Sequence, residues 1–267
     1  MGNLLWRYQK MNEGLEKYFD LTGRTALITG GGSGIGKGCA KMLALAGAKI
    51  FIVGRRDNKL LAAAQEIRVA GGECRYLSAD LTEEDSCRAA VAACISQYGQ
   101  LDILINSAGS RGAHGTLEEE LTADNLRDTM AADFDSTFMM IAQAYQEIAK
   151  SNHGSIINIA SLAALQARGP VVYSAAKGAV RSMSRTLAKR LGPVGVRVNT
   201  IYPGFIITEM TEKIHEMPER EEKMRSDSPL HKLGEVSDIA LCALYLSSDA
   251  ARFVTGQDFV IDGGATC

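Results

Sequence analysis

Residues 25–38 read TALITGGGSGIGKG. A short run dominated by β-branched and apolar residues passes through a glycine-rich turn directly into the helix-period stretch IGKGCAKMLALAG, which is how a βαβ unit opens. Glycines let the main chain approach a pyrophosphate closely, and the charge of that group then meets unpaired N–H groups at the helix N-terminus. The literal G-x-G-x-x-G string is absent. The sequence carries T-G-x-x-x-G-x-G instead, with Gly30, Gly34 and Gly36 in frame. Its place between the first strand and the first helix favours a nucleotide site over a plain tight connection.

The same rhythm continues outward. KIFIV (49–53) precedes KLLAAAQEIRVAGG, CRYLSAD (74–80) precedes DSCRAAVAACISQYG, and DILIN (102–106) precedes a helical stretch over about 121–149. SIINIAS (155–161), the helix YSAAKGAVRSMSRTLAKRLG (173–192), VRVNTIYPG (196–204), the helix DIALCALYLSS and DFVIDGG (258–264) complete it. Apolar strands without polar alternation are covered on both faces, which predicts a parallel α/β sheet of seven strands. The 267-residue chain shows no Pro-, Gly- or Ser-rich linker and no repeat, so residues 21–267 are expected to form a single doubly wound α/β domain.

Composition excludes several classes. Apolar residues make up 46%, charged residues 22%, and the formal net charge is −2, giving no electrostatic case for nucleic acid or an anionic membrane as partner. There is no apolar run of bilayer-spanning length, and the N-terminus lacks the continuous apolar core of a secretory signal. Cysteines 39, 74, 87, 94, 242 and 267 form no CxxC, and histidines 114, 153, 215 and 231 are scattered. The expectation is a reduced, cytoplasmic protein with no metal site.

Two regions break the rhythm. Residues 205–232 are charged, carry two prolines and lie between a strand and a helix, so a mobile flap or a solvated loop is expected. Residues 1–20 place Leu4, Leu5, Tyr8, Leu15, Tyr18 and Phe19 at roughly helical spacing, with Trp6 the only tryptophan. An amphipathic helix packing on this subunit or a neighbour fits that pattern, and so does a partly ordered tail.

At the end of the second strand the sequence reads IFIVGRRDNK. An acid there would meet the ribose 2′-hydroxyl of NAD, whereas an arginine meets the 2′-phosphate of NADP. Gly54 holds the tip, and Arg55 and Arg56 follow, which leans toward NADP(H) with NAD(H) still open. Asp57 blunts that field, and Ser33 adds no second positive charge.

Tyr173 and Lys177 lie four apart in YSAAK, on one face of a helix. A nearby ammonium, together with an oxidised nicotinamide, favours tyrosinate over tyrosine, making Tyr173 an acid/base for an alcohol or ketone. Ser161, in the turn after SIINIA, is placed to donate to the same oxygen.

TGGGSGIG, NSAG (106–109), Ser161, YSAAK and YPG (202–204) stand together in the order and spacing of the short-chain dehydrogenase/reductase family, which the chain resembles over about residues 21–267. The resemblance implies a Rossmann fold and NAD(P)(H)-dependent interconversion of a secondary alcohol and a ketone. It gives Ser161, Tyr173 and Lys177 catalytic roles, with Lys177 also holding the nicotinamide ribose. It implies cofactor contacts from Gly30, Ser33, Gly34, Ile35, Gly36, Arg55, Arg56, Asp80, Leu81, Asn106, Ala108 and Gly109, then from Pro203, Gly204, Ile206 and Thr208. Asp80 would meet the adenine and Thr208 the carboxamide, while Asn199 and Asp262 read as structural. It also implies a homotetramer built through helices 121–149 and 173–191, for which Met139, Met140, Ala179 and Met183 are compatible apolar positions.

One residue departs from the pattern. The family's helix carries an asparagine, whose backbone carbonyl holds a water in a proton relay, where MAADF (130–134) has Asp133. A carboxylate only accepts hydrogen bonds, and its charge near Tyr173 opposes Lys177. Asp133 is therefore expected to turn toward backbone N–H groups, with the relay intact. For the substrate, Ala163, Ala164 and an apolar flap of Phe205, Ile206, Ile207 and Met210 suggest a hydroxysteroid. YFDLTGRTALITG resembles sugar-acid and polyol dehydrogenases, and Arg111 after NSAG suits a carboxylate. A cofactor-binding sensor that has lost catalysis is the reading from a different class.

Overall fold

The computed structural model describes residues 14–113, 115–166, 169–211 and 217–267. Seven strands form one sheet: β1 (Thr25–Thr29), β2 (Lys49–Gly54), β3 (Glu73–Ser78), β4 (Ile103–Asn106), β5 (Ser155–Ile159), β6 (Arg197–Pro203) and β7 (Asp258–Ile261). Their order is β3-β2-β1-β4-β5-β6-β7, and every pair is parallel. The helices are α1 (Gly34–Leu45), α2 (Asp57–Val69), α3 (Glu84–Tyr98), α4 (Ala123–Met130), α5 (Ser136–Ile148), α6 (Val171–Leu191), α7 (Pro218–Ser226) and α8 (Val236–Ser247).

Strand alternation divides the core in two. Ala26, Ile28, Ile50 and Ile52 face α1, α2 and α8, where they meet Cys39, Leu43, Leu60, Ile239 and Ala243. Leu27, Phe51, Val53 and Leu104 point the other way, onto Cys87, Val91, Met140, Ile141 and Ala188. Successive strand residues serve opposite faces, so a strand buried on both sides must be apolar throughout. All five residues of β1 are buried, whereas the edge strands β3 and β7 are only partly covered. The cysteines are free: Cys39 and Cys74 sit in the first core, Cys87 and Cys94 in the second.

The sheet order reverses direction between β1 and β4, and in an open α/β sheet the crevice beyond the strand C-termini at that point is where ligands bind. The turn after β1 is shaped for close approach. Gly30 has φ +67°, and a Cβ there would sit 2.8 Å from the Ser107 carbonyl oxygen. A Cβ on Gly36 would collide with the Gly30 carbonyl oxygen.

Two expectations meet a different structure. The helix expected over 121–149 is α4 and α5 joined by a π-helical segment, Ala131–Asp135. Met140 is fully buried in the second core and Met139 and Met183 pack against it. Within 205–232 lie a 3-10 turn, Glu209–Thr211, and helix α7. The extension is helical over residues 14–19, where Leu15, Tyr18 and Phe19 are exposed. Leu4, Leu5, Trp6 and Tyr8 lie outside the described residues. No described helix is long and apolar enough to cross a membrane.

Candidate active site

One cleft of about 750 Å³ runs across the C-terminal ends of the strands. Gly30, Ser33, Gly34, Ile35 and Gly36 line it from the first turn, and Arg55 and Arg56 from the tip of β2. Asp80 and Leu81 follow β3, Ala108 and Gly109 follow β4, and Pro203, Gly204, Ile206 and Thr208 follow β6. Ser161, Tyr173, Lys177 and Asp133 line the same space.

The phosphate end fits a dinucleotide. Ser33 caps α1 without a side-chain bond to it, and the helix's first turn carries no acid, so its leading N–H groups face the cleft without an internal anion. Asp80 accepts from the N–H and hydroxyl of Thr82, and the backbone bond above all holds its carboxyl below the usual range. The charge of Arg55 adds to that effect, so Arg55 acts on the adenine-end acid.

The Asn106 side chain lies beneath the cleft. It is not among the residues lining the cleft. Its amide donates to Asn158 Oδ1 at 2.8 Å, and the Asn158 amide donates to Ser184 Oγ at 2.8 Å. This buried chain ties β4 to β5 and to α6 beneath the cleft. Asn199 and Asp262 do hold local structure. Asn199 bonds the backbone of Val254 and Gln257, and Asp262 accepts from Gly264 N–H and from the N–H and hydroxyl of Thr266.

At the reacting end, Ser161 Oγ accepts from the Ala163 N–H at 3.2 Å, which leaves its hydroxyl hydrogen for the cleft. Lys177 Nζ lies 5.6 Å from the centre of the Tyr173 ring. No hydrogen bond holds the Tyr173 hydroxyl to another described residue. Ile159 O accepts from Lys177 Nζ at 3.4 Å.

Asp133 sits in the π-helical segment and is fully buried, while Lys177 is 5% exposed. Their charged groups pair at 3.0 Å. The backbone N–H of Ser110 donates to both carboxylate oxygens at 3.2 and 3.1 Å, and the Ser110 hydroxyl donates to Oδ2 at 3.1 Å. The expected turn toward a backbone N–H is present, and the direct pairing with Lys177 is additional. Burial by itself would depress the Lys177 ammonium, but the charges of Asp133 and Tyr173 and the bond to Asp133 outweigh it and raise it above the usual lysine value. An ammonium has three donors. Asp133 and Ile159 take two of them, and one remains. Gly109 makes the pairing possible: a Cβ there would lie 2.5 Å from Asp133 Oδ1 and 3.3 Å from Lys177 Nζ.

Sequence reading missed Glu209. Its carboxylate pairs with Arg56 at 2.9 Å and with Lys59 at 3.4 Å, and Arg56 also donates to Ser33 Oγ at 2.7 Å. Glu209 therefore offsets the arginine field that Asp57 was expected to blunt. Nothing in local spacing signals a contact between residues 153 positions apart.

The comparisons with known proteins identify the family. The family model described as enoyl-(acyl carrier protein) reductase matches residues 30–266. The chain is similar to 2,5-dichloro-2,5-cyclohexadiene-1,4-diol dehydrogenase of Sphingobium indicum, with 40% identity covering 91% of this chain and 96% of that one. It is 36% identical to galactitol 2-dehydrogenase (L-tagatose-forming) of Cereibacter sphaeroides, covering 93% and 97% of the two chains. A solved short-chain type dehydrogenase/reductase from Mycobacterium ulcerans superposes with a TM-score of 0.88 at 37% identity, covering 92% and 91%. The chain belongs to the short-chain dehydrogenase/reductase family, oxidoreductases that act on alcohol groups with a nicotinamide dinucleotide.

Proposed function

We propose that the protein interconverts a secondary hydroxyl and a ketone on a polyol or sugar acid, with Tyr173 as the acid/base. The observation that carries the substrate class is Arg111. It lines the cleft on the chain segment after Gly109 and makes no hydrogen bond or ion pair with any described residue. A guanidinium left unpaired in a cleft wall suits a carboxylate or a row of hydroxyl oxygens. Ser110 and Ser161 add polar groups to the same wall. Of the apolar residues expected to receive a steroid, Ala163, Phe205 and Ile206 line the cleft and Ala164 and Ile207 do not. Ile206 is 5% exposed and belongs to the first core, while Ile207 is exposed.

A bound nicotinamide ring would supply or accept the hydride. The chain's residues manage the proton and the oxygen. Ser161 donates to the substrate oxygen, stabilising the charge that develops there. Tyr173 takes the hydroxyl proton in oxidation and returns it in reduction. Lys177 places an ammonium near the ring, which favours the phenolate, and its remaining donor would hold the ribose hydroxyls of a bound cofactor. Asp133 fixes Lys177 in that position.

The test is turnover of galactitol, gluconate and a hydroxysteroid with each oxidised dinucleotide, followed by nicotinamide absorbance. Polyol or sugar-acid turnover is expected. Arg111→Ala is expected to raise KM for the carboxylated substrate about tenfold to a hundredfold, the loss of one charge-assisted contact, with kcat nearly unchanged. Turnover confined to the steroid, or an unchanged KM, overturns the substrate class. Cofactor binding with no turnover of any of the three favours the sensor reading.

A further inference from the structure

We propose that Glu209 is an internal competitor for the ribose 2′-phosphate of NADP(H), and that it sets the choice between the two nicotinamide dinucleotides. The inference rests on the reading of the cleft as a dinucleotide site.

A 2′-phosphate is a dianion with acceptor oxygens only, so it needs cations and hydroxyl donors converging at the tip of β2. Three such groups converge there: the Arg56 guanidinium, the Lys59 ammonium and the Ser33 hydroxyl, all lining the cleft. Arg56 already bonds Ser33 Oγ with one nitrogen and Glu209 Oε1 with the other, and Lys59 reaches the same Oε1. The Glu209 carboxylate therefore uses the donors a phosphate would use. The bond from Arg56 first, with the nearby charges of Arg56 and Lys59, holds that carboxyl below the ordinary range, so it is charged at neutral pH.

The carboxylate is delivered by a built turn. Thr211 Oγ1 donates to the carbonyls of Ile206 and Thr208 and accepts from the Thr208 N–H. Gly234 bonds the backbone of Phe205 and Ile207 on the other side. Thr208 lies beside the glycine loop, where a Cβ added to Gly34 would be 3.5 Å from it. None of these contacts needs Arg56, and the turn would present Glu209 at this place without it.

The two cofactors then differ. A ribose 2′-hydroxyl can donate to Glu209 where it stands, because a carboxylate accepts. A 2′-phosphate must displace it, since two anions cannot share one cation pair without repulsion. The cations of the GRR stretch, which by themselves favour NADP(H), are thereby held by an acid that favours NAD(H).

The experiment is titration of NADPH and NADH by nicotinamide fluorescence, with wild type, Glu209→Gln and Glu209→Ala, each first checked for an unchanged circular dichroism spectrum. Competition of NADH by 2′,5′-ADP against 5′-AMP isolates the phosphate. Both variants are expected to bind NADPH and 2′,5′-ADP about threefold to tenfold more tightly, the scale of exposed ion pairs, with NADH and 5′-AMP bound equally or more weakly. An equal change for both cofactors, or none for either, overturns the proposal. Wild-type protein that binds neither dinucleotide overturns instead the cofactor reading beneath it.

Discussion

Replacing Asp133 by asparagine tests how the buried pair shapes the chemistry. The side chain keeps its size and one acceptor oxygen, while the charge is removed and the other oxygen becomes an amide donor. The Lys177 ammonium lies 3.0 Å from the carboxylate and 5.6 Å from the Tyr173 ring centre. Laid end to end, those distances put the Asp133 charge no further than about 9 Å from the ring, where at an effective dielectric of about 20 it opposes a phenolate by about 2 kcal/mol. Halving that for water in an open cleft leaves about 1 kcal/mol, a little under one pH unit.

The expected outcome is that kcat/KM for alcohol oxidation along the acid limb rises about fivefold in D133N, the equivalent of about 1 kcal/mol. Ketone reduction at neutral pH, which needs the phenol protonated, gains nothing. The limb does not report Lys177 losing its own proton. Its folded value is raised, so its pairing is fully in place below the ordinary lysine range and is lost only as pH climbs above it. The assay is a pH–rate series from about 6 to 9.5 in both directions, with thermal melts alongside. D133N should melt a few degrees lower, since a charged hydrogen bond worth about 1.5–3 kcal/mol becomes a neutral one. A folded variant with a superimposable profile would refute the electrostatic account. So would a folded variant that binds cofactor and loses kcat/KM on the acid limb, because removing the negative charge should favour the phenolate.

Two further outcomes follow from packing. Gly109→Ala is expected to cost about 1–3 kcal/mol in denaturant unfolding and at least tenfold in kcat/KM, because the new methyl pushes against Asp133 Oδ1; unchanged values would mean the pair has room to give. Burial pushes the thiols of Cys39, Cys74 and Cys94 up to about 12, and those of Cys87 and Cys242 to about 11. An aromatic disulfide reagent at pH 8 should therefore label only the exposed Cys267 within minutes, and all six after denaturation; faster labelling of a second thiol in the native protein would contradict the packing.

The strands were legible because each is short, apolar and bounded by turn residues, and a parallel sheet buried on both faces leaves no other place for such runs. The cofactor end was legible because its residues are adjacent in sequence: a turn, a strand tip and a helix N-terminus are local objects. What escaped was long-range. Ala131–Asp135 has the composition of ordinary helix, and its widening to π geometry shows only against α6 and the segment after Gly109. Nothing in NSAG announces that the Asn106 side chain bonds Asn158, 52 residues away in β5.

Asp133 shows why the two kinds of residue differ. Lysine at position 177 follows from the tyrosine four residues earlier, on one face of one helix. An ammonium with 5% exposure, however, is costly to keep charged unless something offsets it, and an asparagine there would leave the offset to cofactor and water. This chain supplies a carboxylate of its own. The cation is then stable in place before any cofactor arrives, and the same carboxylate weakens the field that Lys177 exerts on Tyr173. The substitution that looked like damage in the sequence therefore holds the buried cation in place while leaving Ser161, Tyr173 and Lys177 in one cleft.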